Sequence, residues 1–163
     1  FLLGVFQNVC SCYFNCMSRD ELHKTLAGPR DKDWFNAAFS EGLCLLLEDR
    51  AAQAAIDQLK PVADGGPEAL RRQARLLIGH GYRALGKRRT AIFTYQRVAR
   101  LIPPDDAAVM ALAALVEIGD ETVAKVAQQT LDSLRQSGGD LPALELLSGG
   151  AVLADIEALL TGQ

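Results

Sequence analysis

The residues of this chain that could hold a metal ion are four cysteines and two histidines. Cys10, Cys12 and Cys16 form a C-x-C-x3-C cluster, and thiolates are good zinc ligands. A structural zinc site needs four ligands, however, and no second pair follows, because His23 and His80 are isolated in the sequence. We therefore expect no metal and no cofactor, and free thiols in a reducing cytosol.

Nucleophilic catalysis is the other chemistry to consider, and Cys44 with His80 is the one candidate pair. Such a pair needs an orienting third group and an electropositive setting. Neither accompanies Gly79-His80-Gly81, which we interpret as a point of close helix packing with a groove or core histidine. Nucleophile-elbow, phosphate-loop, zincin and dinucleotide-binding motifs are also absent from the sequence. We predict that the chain is not an enzyme.

Charge is distributed unevenly along the 163 residues. The chain has 17 basic and 20 acidic residues, and its formal net charge is −3. Residues 71–100 contain nine Lys and Arg and no Asp or Glu, so this stretch carries +9 and the remainder −12. The predicted basic patch consists of Arg71, Arg72, Arg75, Lys87, Arg88, Arg89, Arg97 and Arg100.

Three interpretations of this patch stay open. Acidic flanks could compensate it within the chain. It could instead dock an acidic partner surface, since complementary charge steers association. Nucleic-acid binding is the third interpretation, but aromatic interleaving and a recognition motif are missing from the sequence.

Residues 1–18 differ from the rest because they contain no charged residue. Their apolar positions recur at 3–4 spacing, which predicts an amphipathic helix. An exposed helix of this kind is an aggregation liability. We expect it to occupy a groove of the same chain or to pack between the subunits of a homodimer, unless it is a tag or a graft.

The remaining residues predict helices separated by short breaks, and no run is typical of a strand. The expected helices are 19–27, 34–48, 51–62, 68–85, 89–102, 106–118 and 121–135, followed by short pieces at 142–147 and 151–160. Helix starts are indicated by Ser18 with Glu21 as a capping box, by Asp31 or Asp33, by Pro67 at a first helical position, and by Asp106.

These patterns predict an all-α fold with one helical domain over residues 19–163. A hydrophobic content of 49% combined with a low net charge excludes dominant disorder. No apolar run is long enough for a membrane-spanning helix.

One stretch of the chain carries a recognisable repeat pattern. It runs from Arg72 to Asp105, and its pattern residues are Ile78-Gly79, Tyr82, Gly86, Ala91-Ile92, Tyr95 and Pro103. In this order and spacing they resemble a tetratricopeptide repeat. Val98 departs from the family pattern, which has a small residue there. Small residues let the paired helices approach, and the aromatics fill the angle between them.

Two weaker copies flank this repeat. Upstream, Gly42 takes the position of Gly79, and Ala54 with Ile56 takes that of Ala91-Ile92. The downstream copy uses Leu112, Leu115, Gly119 and Ala124, with Gln128 in place of the aromatic. The resemblance implies tandem antiparallel helical hairpins in a superhelix of about three repeats, at about 35–68, 72–105 and 105–137, with capping helices at 141–160.

In such an array the first helix of each pair lines a concave surface. The register predicts a partner-binding groove made of Asn36, Phe39, Leu43, Leu46, Leu47, Gln73, Leu76, His80, Arg83, Val109, Ala113 and Val116. Most of these residues are apolar, which suits an amphipathic helix as the ligand. Some of them could instead belong to the core.

The expected function is therefore protein binding by a cytoplasmic chaperone or adaptor. In size and repeat number the chain is similar to the tetratricopeptide chaperones of bacterial type III secretion, which would imply a role in protein transport with an export substrate as the partner. The alternative is a structural scaffold subunit that docks an acidic partner through its basic central repeat.

Overall fold

The computed structural model describes residues 18–47, 49–138, 141 and 144. Over these residues the chain forms seven α-helices and no strand, which confirms the predicted all-α class. The helices are α1 (Arg19–Leu26), α2 (Lys32–Leu47), α3 (Ala52–Gly65), α4 (Glu68–Ala84), α5 (Arg88–Ala99), α6 (Asp106–Ile118) and α7 (Glu121–Gln136). None of these helices combines the length and the apolar character needed to cross a membrane.

The predictions for the two ends of the chain fall largely outside the described residues. The uncharged segment 1–18 is represented only by Ser18, and the capping helices at 141–160 only by Leu141 and Leu144. Leu144 is buried and Leu141 packs against the core.

Local capping signals fix several helix starts. The Ser18 hydroxyl accepts from the Glu21 amide, and the Glu21 carboxylate accepts from the Ser18 amide at 2.8 Å, which confirms the capping box. Asp31 caps α2 by accepting from the amide of Trp34.

Two of the predicted starts were wrong by one residue. Asp105 caps α6 through the amide of Ala108, so Asp106 is the first helical residue and not the cap. Pro67 is the N-cap of α4 and precedes its first helical residue.

The helices fall into two groups by their burial. Residues 37–43 of α2, 76–81 of α4 and 107–115 of α6 are buried without interruption, so these helices are covered on all sides. In α5, by contrast, only Ala91, Tyr95 and Val98 are buried, and they share one face. Each helix packs against its neighbours in sequence, and α4 also contacts α2 and α6. We call α2, α4 and α6 the inner helices and α3, α5 and α7 the outer helices.

Glycines allow an inner helix to approach the next outer helix closely. A Cβ atom at Gly79 would lie 2.6 Å from Cε1 of Tyr95, and one at Gly42 would lie 2.5 Å from Cγ of Leu59. Gly42 therefore has the same packing role as Gly79, as predicted. The predicted register of the following helix was wrong, because Ala54 is exposed whereas its neighbour Ala55 is buried.

Candidate functional site

Two arginines of the predicted basic patch join α4 and α5 to elements further along the chain. Nη1 of Arg72 donates to the carbonyl oxygen of Pro103 at 2.7 Å and lies 3.4 Å from the Asp105 carboxylate. Nε of Arg88 donates to the carbonyl oxygen of Ile118, at the end of α6, at 2.7 Å. A cation suits this position, because the last carbonyls of a helix carry partial negative charge.

Three further cations of residues 71–100 also have partners within the chain. Arg71 pairs with Glu68, Arg75 donates to the carbonyl oxygen of Ala63 at 3.0 Å, and Arg83 donates to the Glu117 carboxylate at 2.8 Å. Arg71, Arg72, Arg75 and Arg88 of the predicted patch therefore each have a partner within the described residues, and their role in docking a partner protein stays a prediction.

The other cations of the patch are exposed, and three of them line up on the outer face of α5. Arg89, Arg97 and Arg100 share this face with Phe93, at spacings of four, four and three residues, opposite the buried face of the helix. We call Arg89, Phe93, Arg97 and Arg100 the basic stripe. Phe93 is 61% exposed, which is unusual for a large apolar side chain.

The basic stripe lacks acidic partners within the part of the chain that the structure describes. Within the stripe, the guanidinium carbon of Arg97 lies 6.0 Å from the centre of the Phe93 ring. Lys87, the remaining exposed cation, has its ammonium 5.9 Å from the ring centre of Tyr82. None of the three arginines of the stripe therefore forms an ion pair with a described acidic side chain.

A pocket of about 300 Å³ lies beside the stripe, between α3 and α5, with α4 as its floor. We call it the α3–α5 pocket, and it is lined by Lys60, Ala63, Asp64, Arg75, Ile78, Tyr82, Thr90, Phe93, Thr94 and Arg97. Three of these side chains are cations and one is a carboxylate, so the lining is net positive. Its volume is at the lower end of the range for small-molecule sites.

Two of the three pocket cations are already engaged. The Lys60 ammonium lies 3.3 Å from a carboxylate oxygen of Asp57, and Arg75 is hydrogen-bonded to the backbone. The side chain of Arg97 forms no hydrogen bond or ion pair with a described residue, and its guanidinium carbon lies 6.0 Å from the centre of the Phe93 ring. Arg97 is therefore the pocket cation best placed to meet an anionic group from outside.

A second pocket of about 300 Å³ lies on the other side of α5, against α7, with α6 as its floor. It is lined by Gln96, Ala99, Arg100, Leu112, Leu115, Thr122, Val123, Val126, Ala127 and Thr130, and Arg100 is its single charged residue. Val126 is 57% exposed there. We call it the α5–α7 pocket.

The predicted groove residues lie on the inner helices, but most of them are not accessible. Seven are buried: Phe39, Leu43, Leu46, Leu76, His80, Val109 and Ala113. The other five are partly buried: Asn36, Leu47, Gln73, Arg83 and Val116. These side chains therefore do not form an open groove in this structure, and their role in binding a partner stays a prediction.

His80 occupies the centre of the packing between α4 and α5. It is 2% exposed, and its Nδ1 lies 2.7 Å from the hydroxyl of Tyr95. Burial lowers the pKa of His80 to about 3, with a smaller contribution from the charge of Arg83. Burial also raises the pKa of Tyr95, against an opposing contribution from Arg83. At neutral pH the pair is uncharged, which makes His80 a weak general base.

Three side-chain polar atoms on α4 are buried without a hydrogen-bond partner among the described residues. They are Nε of Arg71, Oε1 of Gln73 and Nε2 of His80. Gln73 and His80 are seven positions apart and therefore lie on one face of the helix.

The predicted absence of a metal site can be compared only with part of the chain. Over the described residues no group of three or more metal-binding side chains is assembled. Cys44 is partly buried, whereas Cys10, Cys12 and Cys16 lie outside the described residues.

Sequence reasoning missed Phe93 and Tyr82 as surface residues of a binding site. The spacing of Arg89, Phe93 and Arg97 was a signal that could have found the stripe, because it places one aromatic between two cations on a single helix face. Lys60 and Asp64 had no such signal, since their place in the pocket depends on how α3 packs beside α5.

Comparisons with known proteins add no relative for this chain. No protein-family model matches it, and neither a curated protein nor a solved structure is similar to it at a significant level.

Proposed function

We propose that this chain is a protein-binding module that docks an acidic segment of a partner on the outer face of α5. The observation that carries the proposal is the basic stripe, in which three exposed cations without described acidic partners surround an exposed Phe93. Charge of one sign speeds and orients association with the opposite sign. Exposed aromatic and arginine side chains are also enriched in the energetic centres of interfaces.

An acidic protein segment suits this surface better than a nucleic acid does. A phosphate backbone needs a continuous track of cations, whereas Asp64 of α3 lies in the pocket that adjoins the stripe. The chain outside residues 71–100 carries −12 and would repel a long polyanion. A short acidic segment can place its charges on the stripe alone.

The proposal can be tested by selection from a random-peptide display library. We expect peptides enriched on the wild-type protein to be rich in Asp and Glu, and their affinity to fall as salt is raised. The double variant Arg89→Glu/Arg100→Glu should lose these peptides. The matched control is Lys24→Glu/Lys125→Glu, which makes the same charge change at exposed lysines on α1 and α7 and should retain them.

Three outcomes would contradict the proposal. The first is the absence of any enriched peptide, and the second is enrichment without acidic residues. The third is equal loss of binding in both double variants, because that would reflect net charge and not the stripe. Circular dichroism of all variants checks that the fold is retained.

The inner helices support a second candidate function, a chaperone that holds an amphipathic helix of an export substrate. The supporting observation is the pair of unpartnered atoms on α4, His80 Nε2 and Gln73 Oε1, which a bound segment could satisfy. This function requires the buried face to become accessible. Hydrogen exchange tests it: addition of an apolar amphipathic peptide should slow the exchange of α2, α4 and α6 amides, and unchanged exchange would contradict it.

A further inference from the structure

The α3–α5 pocket lies directly beside the basic stripe and shares Phe93 and Arg97 with it. Its floor is apolar, because Ile78 and Ala63 are buried there and the Tyr82 ring is partly buried. Its rim carries positive charge. A site with an apolar floor and a cationic rim recognises a ligand that combines an apolar group with an anion.

We propose that the α3–α5 pocket receives one aromatic or large aliphatic anchor side chain of the acidic partner segment, and that Arg97 holds a carboxylate next to that anchor. This inference rests on the proposed function and specifies the chemistry of its partner. The ligand is a peptide in which Asp or Glu lies beside a residue such as Phe, Trp or Leu.

The size of the pocket limits the ligand to a single anchor. A volume of about 300 Å³ is at the bottom of the range of sites for whole small molecules. It suits one large side chain that packs between the rings of Phe93 and Tyr82.

The polar groups of the pocket favour a carboxylate held by Arg97. Lys60 and Arg75 are engaged by Asp57 and by the backbone, so neither needs a new partner. The Arg97 guanidinium carbon lies 6.0 Å from the centre of the Phe93 ring, and its nitrogens form no hydrogen bond with a described residue, so they can donate two hydrogen bonds to a carboxylate. Phe93 would then contact the anchor side chain, and Arg97 would bind the carboxylate next to it.

The α5–α7 pocket provides the internal comparison. It has a similar volume and an exposed Val126, but only one charged residue and no aromatic one. We therefore expect Val126→Ala to leave peptide binding unchanged, and Phe93→Ala to weaken it. Both substitutions shorten an exposed apolar side chain on an outer helix, so they are matched in their effect on the fold.

The experiment measures the affinity of display-selected acidic peptides by fluorescence anisotropy. Phe93→Ala should weaken binding by about tenfold or more while the dependence on salt is kept. Arg97→Gln should weaken binding and reduce the dependence on salt. Replacing the peptide's carboxylate by its amide should weaken binding to the wild-type protein. The same replacement should change binding to the Arg97→Gln variant very little, and a double-mutant cycle then shows that the two groups interact.

The outcomes separate this inference from the proposed function. If acidic peptides without an apolar anchor are selected, and Phe93→Ala binds them as the wild type does, the pocket has no role although the stripe still docks acidic segments. Weakening by Val126→Ala equal to that by Phe93→Ala would also overturn the pocket assignment. If no acidic peptide is selected, the proposed function fails and the pocket inference fails with it.

Discussion

The hydroxyl of Tyr95 lies 2.7 Å from Nδ1 of His80, and this contact joins α5 to α4 inside the core. Both side chains are almost fully buried. The guanidinium of Arg83 acts on both groups, because its charge lowers the pKa of each. A cation beside the Tyr95 oxygen favours donation of the hydroxyl proton to His80 Nδ1, which leaves the imidazole proton on Nε2.

The first prediction concerns pH. The pKa of His80 is about 3 in the folded chain, below its ordinary value of 6.5, so between these values the unfolded chain binds a proton that the folded chain does not. The free energy of unfolding therefore falls as the pH is lowered through this window. Between pH 7 and pH 5, the titration of His80 should lower the free energy of unfolding by about 2 kcal/mol. Urea unfolding at the two pH values measures this difference.

The variant His80→Gln should remove this share of the pH dependence, because glutamine does not titrate. His23→Gln removes the other, exposed histidine and is the matched control, which should keep the wild-type difference. Equal pH dependence in the wild type and His80→Gln would show that His80 does not titrate as the structure indicates.

The second prediction concerns helix approach at Gly79. A methyl group there would lie 2.6 Å from the Tyr95 ring, so Gly79→Ala should destabilise the fold by about 1–3 kcal/mol. Gly65→Ala is the control, because its nearest neighbour, Cζ of Phe35, would be at 3.7 Å, an ordinary contact. Thermal or urea unfolding of both variants checks the difference, and equal effects would contradict it.

The third prediction separates two adjacent arginines. Both arginines are exposed, but Arg88 donates to the carbonyl oxygens of Ile118 and Gly119, whereas the side chain of Arg89 forms no hydrogen bond or ion pair with a described residue. Arg88→Gln should therefore lower the free energy of unfolding by about 1–2 kcal/mol, and Arg89→Gln should change it by less than about 0.5 kcal/mol. If Arg89→Gln lowers the free energy of unfolding more than Arg88→Gln does, then Arg89 and not Arg88 stabilises the fold, which contradicts the prediction.

Local features of the fold were predictable from sequence because short-range chemistry sets them. The capping box of Ser18 and Glu21 acts within one helical turn, and Gly86, with φ of +70°, follows α4 where a left-handed residue is needed. The close approach of α4 and α5 at Gly79 was also expected, because the sequence pattern places a small residue on one helix and the aromatic Tyr95 on the next.

The surface was less predictable because it depends on which helix faces meet. The sequence left His80 open as a groove or a core residue, and the packing of α5 on α4 buries it, with its Nδ1 2.7 Å from the hydroxyl of Tyr95. The excess of cations at 71–100 was visible in the sequence, but pairing of Arg72 with Asp105 and of Arg83 with Glu117 joins residues more than thirty positions apart. Only the three-dimensional packing shows which cations remain free.

The most direct test of acidic-segment docking on α5 is an amide NMR titration of isotope-labelled protein with a display-selected acidic peptide. If the segment docks there, the largest shift changes will cluster on α5 around Thr90, Phe93, Thr94 and Arg97 and on the end of α3, and Arg89→Glu/Arg100→Glu will abolish them. Changes concentrated on α2, α4 and α6, with the outer face of α5 unaffected, would contradict it.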